Sequence, residues 1–152
     1  MPFDANLVLA DSTADWTYAN LVTNVYGAPT STNKNAGGFV VVDLLALSGT
    51  GAKGMAAVFI GDEAAAAADD ALTLIIEGSD QSDFTSELEA LCAFAVDGAV
   101  GSGIIDGDEV PCTIVRRFQT ERRYIRAKAT CVSGDDFKTC HVLLAPWPFY
   151  FL

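Results

Sequence analysis

Gly49, Gly51 and Gly54, in the segment "GTGAKG", have the spacing of the glycine-rich turn that cradles a dinucleotide. Asp69 and Asp70 follow at about the interval where such folds place a ribose-binding carboxylate. That chemistry requires the third glycine to open a helix whose amino end holds the pyrophosphate. Here "MAAVFI" runs on to Gly61 with no helical period, and no strand–helix–strand alternation follows. A glycine-rich hairpin loop is the expected structure. A phosphate-binding P-loop is excluded as well, because Met55 stands where that motif needs its lysine.

The remaining chemistry-bearing residues are scattered. His141 is the only histidine, so no multi-imidazole metal site can form. No G-x-S-x-G elbow supplies a serine for it to activate, and a structural role is expected. "DGDE", Asp106 to Glu109, brings carboxylates together without the alternating ligands of a calcium loop, and reads as a turn before Pro111. Cys92, Cys112, Cys131 and Cys140 show no C-x-x-C pair that would support structural zinc. Buried thiols are expected, with Cys131 facing Cys140 if "SGDDF" turns a hairpin between them. The reading is therefore of a non-enzyme with no catalytic residues, no cofactor and no metal.

The charge distribution is more pointed. The chain carries 9 Lys and Arg against 20 Asp and Glu, a formal net charge of −11, yet all its arginines fall between Cys112 and Cys131. They are Arg116, Arg117, Arg122, Arg123 and Arg126, followed by Lys128. An acidic surface repels phosphate backbones, so nucleic acid is excluded as a partner. The cluster has two readings: an interface with another subunit, or salt bridges to the chain's own surplus carboxylates, each contributing ~0 to 1 kcal/mol where exposed. The terminal "APWPFYFL" poses a parallel choice. Trp147, Phe149, Tyr150 and Phe151 either close the chain's own sandwich or dock on a neighbouring subunit, since such an apolar end is not expected to stand in water. A third use of the aromatics, with Trp16 and Tyr18, would be a sugar-binding platform.

The elements that must position these residues read as β. At 152 residues with 51% apolar content, a single domain over 1–152 with a real core is expected. No apolar run approaches the roughly 20 residues that span a bilayer, and "MPFDANLVLADS" has neither the basic start nor the apolar core of an export signal. A soluble protein with no membrane partner follows. Eight short segments rich in Val, Ile and Phe are separated by Gly, Asp, Asn and Ser: "NLVLA", "GFVVVDLLAL", "GMAAVFIG", "LTLIIEG", "CAFAVDG", "PCTIVRRF", "RRYIRAKATCV" and "TCHVLLA". Period-two alternation places Leu72, Leu74 and Ile76 on one face. It likewise sets Ile125, Ala127, Ala129 and Cys131 against Tyr124, Arg126, Lys128 and Thr130, so Arg126 and Lys128 are expected to point away from the core together. The arginines would form a patch across two adjacent strands joined at "QTE". "DEAAAAADDA" could hold a turn of helix and "SDFTSELEALCAF" a short one, while Tyr26 to Gly38 reads as a long exposed loop. The fold class is an all-β, jelly-roll-like antiparallel sandwich with long loops and at most one or two short helices.

The order of segments also resembles a known family. "FDANLVLADS", "ANLVTNVYGAP", "ALTLIIEGSDQSDFTS" and "ERRYIRAKATCVSG" before a final strand look like the capsid cement, or decoration, proteins of tailed bacteriophages, the Bbp16-like family. The resemblance implies a jelly-roll domain on the outer surface of an HK97-type capsid, made in the host cytoplasm. There it would form homo-oligomers, dimers or trimers, and clamp neighbouring major capsid subunits, with no cofactor. The alanine run Ala64 to Ala68 and the aromatic tail depart from that pattern. The alternative function is a carbohydrate-binding β-sandwich module.

Overall fold

The computed structural model describes residues 7–11, 15–18, 41–44, 52–63, 65–97 and 112–146. These form eight strands: β1 (Val8–Asp11), β2 (Val41–Asp43), β3 (Ala52–Gly61), β4 (Ala71–Ser79), β5 (Glu89–Asp97), β6 (Cys112–Thr120), β7 (Tyr124–Thr130) and β8 (Cys140–Pro146). Each falls on one of the eight segments picked out by β-branched and aromatic content. The strands pair antiparallel as β1 with β8, β2 with β7, β3 with β6 and β4 with β5, which is the ladder of one long hairpin. Additional pairing of β3 with β8 and of β4 with β7 rolls that hairpin up. The result is two four-stranded sheets, ordered β1-β8-β3-β6 and β2-β7-β4-β5, and this is jelly-roll wiring.

Alternation decides what lies between the sheets. Leu72, Leu74 and Ile76 of β4 and Ile125, Ala127 and Ala129 of β7 face Met55, Ala57 and Phe59 of β3 and Val142 and Leu144 of β8 in one core. Phe59 is its centre. Its ring meets Trp16 edge-on at 6.2 Å and Phe94 at 6.3 Å, linking the inner faces of both sheets. Full burial of each such side chain stabilises the fold by ~1.5–3 kcal/mol before entropy is charged against it. Trp16 is held there by backbone bonds to the β7–β8 loop: its N–H donates to the Lys138 carbonyl at 2.8 Å, and its carbonyl accepts from Phe137 at 3.1 Å.

Neither expected helix forms among the described residues. Along Ala65–Asp70 the backbone bonds outward: Ala66 N–H donates to the Asp136 carbonyl at 2.9 Å, and Ala67 N–H to the Asp70 carboxylate at 3.0 Å. A run this short gains more from those tertiary partners than from a helical turn it must nucleate alone. In the β4–β5 turn, Ser79 Oγ donates to the Ser86 carbonyl, Asp83 accepts from the Thr85 amide, and Phe84 and Glu87 take left-handed φ values of 54° and 55°. A left-handed residue ends any helix.

The glycine motif is resolved the same way. Gly54 lies inside β3, at φ 76°, beside the register shift between Ala52 and Met55, and opens no helix. Gly49 and Gly51, the Tyr26–Gly38 stretch, Asp106–Glu109 and the tail from Trp147 lie outside the described residues.

Candidate interaction surface

β6 and β7 belong to different sheets, so their arginines do not form the single patch across adjacent strands that alternation suggested. The link at Glu121–Arg123 crosses from one sheet to the other, because β6 pairs with β3 while β7 pairs with β4 and β2. The cluster divides into three environments.

At the crossing, Arg122 and Arg123 are tied to their own subunit's acids. Arg122 donates to Asp80 at 2.7 Å and to Glu89 at 3.2 Å, with Glu87 at 3.9 Å. Its stem lies over Gly78, where a Cβ would come within 3.0 Å of Arg122 Cβ. Arg123 grips Asp43 with two bonds, Nε to Oδ1 at 3.1 Å and Nη2 to Oδ2 at 2.9 Å, and stacks on Tyr124 at 4.8 Å. The Arg122 guanidinium and the Arg123 amide hold the Asp80 carboxyl below its ordinary pKa.

Arg126 does point away from the core, as alternation requires, but it is not exposed. Opposite it in register on β4 stands Glu77, whose Oε2 accepts from Arg126 Nε at 2.9 Å and from Nη2 at 2.8 Å. The β4–β5 turn folds Phe84 over the pair, its ring centroid 4.2 Å from the guanidinium carbon. Arg126 keeps 7% of its surface exposed and Phe84 5%. A desolvated ion pair under an aromatic lid holds the turn to the sheet; it presents no charge to a partner. The expectation that Arg126 and Lys128 face solvent together is corrected accordingly, for Lys128 is partly exposed farther along the same face.

Arg116 and Arg117, adjacent on β6, are both exposed and point to opposite sides of their sheet. Arg116 holds a core-facing register position, between the buried Ile114 and Phe118. Its guanidinium emerges between the two sheets, 5.8 Å from the Phe94 ring of β5. Among the described residues neither Arg116 nor Lys128 makes an ion pair, whereas Arg122, Arg123, Arg126 and Lys138 all do.

The opposite end of the roll is acidic. There Asp62 meets His141 Nε2 at 2.8 Å, and Lys138 bonds Asp136 with Asp15 at 3.8 Å. The buried carboxylates of Asp70 and Asp135 cap loop amides: Asp135 Oδ2 accepts from Val132 at 2.8 Å and Ala71 at 3.4 Å, and Asp70 Oδ2 from Asp136 at 3.4 Å. Among the described residues no three His, Cys, Asp or Glu side chains are grouped to hold a metal ion.

Trp16 is fully buried in the core, so it cannot serve in a sugar-binding platform; Tyr18 is 37% exposed. The four cysteines are thiols. Cys131 directly follows β7 of one sheet and Cys140 opens β8 in the other, so no hairpin sets them face to face, and Cys140 Sγ donates instead to the Phe137 carbonyl at 3.3 Å. Burial pushes the Cys140 thiol pKa up, and that of Cys92 up to about 12 against the opposing charge of Arg116.

Sequence reasoning missed Glu77, Asp80 and Phe84. One signal was present: Phe84 is a lone aromatic in the polar run "SDQSDFTSE", and such a side chain needs something to cover. Compared with protein-family models, curated proteins and solved structures, the chain matches none.

Proposed function

We propose that this chain is a structural virion protein, a cement subunit that binds the outer surface of an HK97-type phage capsid and stabilises contacts between major capsid subunits. The observation that carries the reading is the rolled-hairpin wiring of two four-stranded sheets, the architecture implied by the family resemblance in the order of sequence segments. The loops at its ends support it. Carboxylates bonded to loop amides and arginines bonded to carboxylates fix the described loops at both ends, which lowers the entropy those loops lose on docking. The role needs no reaction and no cofactor. Its partners are the major capsid protein and further copies of itself; neither nucleic acid nor membrane is involved. The protein would be made in the host cytoplasm and end on the outside of the virion. An acidic exterior keeps decorated particles apart, and Arg116, exposed and without an ion pair among the described residues, offers a positive charge for docking.

A ligand that binds the assembled shell alone stabilises it by mass action. Purified chain added to mature capsids that lack it is expected to co-sediment with them and raise their melting temperature. Capsids that neither bind it nor melt higher would end this reading.

A further inference from the structure

Among the described residues the roll has four sheet edges, and they are not alike. β1 has four residues with an irregular register between Val8 and Ala10, and β2 has three. Short or irregular edges are the usual protection against unwanted strand pairing, as are charged ones. β6, nine residues long, carries Arg116 and Arg117 at its middle. β5 is equally long, and its register shift against β4, between Ile76 and Glu77, falls at Leu91 near its start and leaves the stretch from Cys92 to Asp97 regular. From Ala90 to Val96, "ALCAFAV", it carries no charge and no proline, although the chain as a whole carries −11. It pairs with β4 in regular register from Ala71↔Asp97 to Ile76↔Cys92, and among the described residues with no other strand. Its outward side chains Ala93 and Ala95 are small and exposed.

The charge beside this edge selects the occupant. Arg116 reaches from β6 to the middle of β5, 5.8 Å from the Phe94 ring, and is exposed without a described ion pair. It also lies close enough to Cys92 for its charge to oppose the effect of burial on the thiol. A second copy is a poor match. Antiparallel self-pairing of β5 about Ala93 would set Glu89 of each copy opposite Asp97 of the other and bring the two Arg116 side chains together at the axis, like charges in every case. An extended segment of another protein with a carboxylate near its centre meets none of these conflicts.

We propose that β5 is the docking edge for the capsid: an extended, acidic segment of the major capsid protein adds to it as a fifth strand of the β2-β7-β4-β5 sheet and sets a carboxylate against Arg116. Main-chain hydrogen bonds supply affinity in this mode, and the charge pair supplies register. The inference rests on the capsid reading above.

The test uses the whole chain and mature capsids lacking it. Arg116→Glu is expected to weaken capsid binding about tenfold or more, and Lys128→Glu to leave it unchanged. Amide exchange across residues 89–97 is expected to slow in the capsid-bound wild type. Arg116→Gln, with the same exchange readout, serves if the reversed charge prevents folding. Wild-type binding undiminished in the Arg116 variants, or unchanged exchange over 89–97 on the capsid, overturns the docking edge and leaves the capsid role standing. A solution dimer that protects 89–97 without capsid also overturns it. Failure of the wild type to bind any capsid removes both.

Discussion

Arg126 and Glu77 face each other across β7 and β4, joined by bonds of 2.9 and 2.8 Å and roofed by Phe84, so the most buried arginine described is a fastener between a sheet and its covering turn. Removing one member takes from the other its opposite charge in a desolvated site. Arg126→Met or Glu77→Gln is expected to cost about 3–5 kcal/mol in urea unfolding, and the double variant Arg126→Met/Glu77→Leu to recover most of it. Equal, additive losses would contradict a coupled pair.

The acid limb of stability should depend on Asp80 and Asp136. Hydrogen bonds from Arg122 and the Arg123 amide depress the first, and hydrogen bonds from Lys138 depress the second against the upward effect of its partial burial. A carboxyl whose folded pKa is lowered stabilises the fold above its unfolded value and stops doing so as pH falls through the folded one. Melting temperature is therefore expected to decline below the ordinary value of 3.8. Asp80→Asn and Asp136→Asn should melt lower at pH 7 and lose less on acidification. Parallel curves for wild type and variants would refute the assignment.

Thiol reactivity offers a local probe. Burial, with the nearby Asp135 and Asp70, pushes the Cys131 thiol up to about 11, and burial pushes Cys92 up to about 12. Iodoacetamide at pH 8 is expected to modify the native protein slowly and the urea-unfolded protein at all four positions. Arg116→Gln should slow Cys92 further, because it removes the charge that favours the thiolate. Faster modification would contradict the placement of that guanidinium.

Two glycines should respond differently to alanine. At Gly78 the added Cβ meets Arg122 Cβ and Cγ at 3.0 Å and Leu91 at 3.3 Å; the base of the arginine is fixed to its backbone and must move with the Glu121–Arg123 link, so Gly78→Ala should loosen the Arg122–Asp80 bond and lower stability through crowding. Gly134 has open space around it but sits at φ 110°, so Gly134→Ala is expected to cost about 1–3 kcal/mol through backbone strain alone. A Gly78→Ala or a Gly134→Ala variant that melts with the wild type would contradict these two placements.

The strands were legible because each states its own period. Leu72, Leu74 and Ile76 alternate with Thr73 and Ile75 whatever lies across from them, and the burial follows. What alternation cannot state is which strand lies next door. β6 and β7 are consecutive, with a three-residue link that would suit a hairpin, yet they join different sheets, and so do β7 and β8; the arginine patch was drawn from the first adjacency and the facing of Cys131 with Cys140 from the second. Likewise, period two gives the side of the sheet on which Arg126 lies but not that a turn 42 positions earlier in the chain folds back over it with Phe84. The site arginines were found by composition. Their partners Asp43, Asp80 and Glu77 came from pairing that local sequence does not encode.

The most direct test of the capsid role is the position of this chain in an electron cryo-microscopy map of the purified particle that carries it. The account predicts density for the eight-stranded roll on the outer surface, bridging neighbouring major capsid subunits. A purified particle without the chain, or with it inside the shell, would contradict the account.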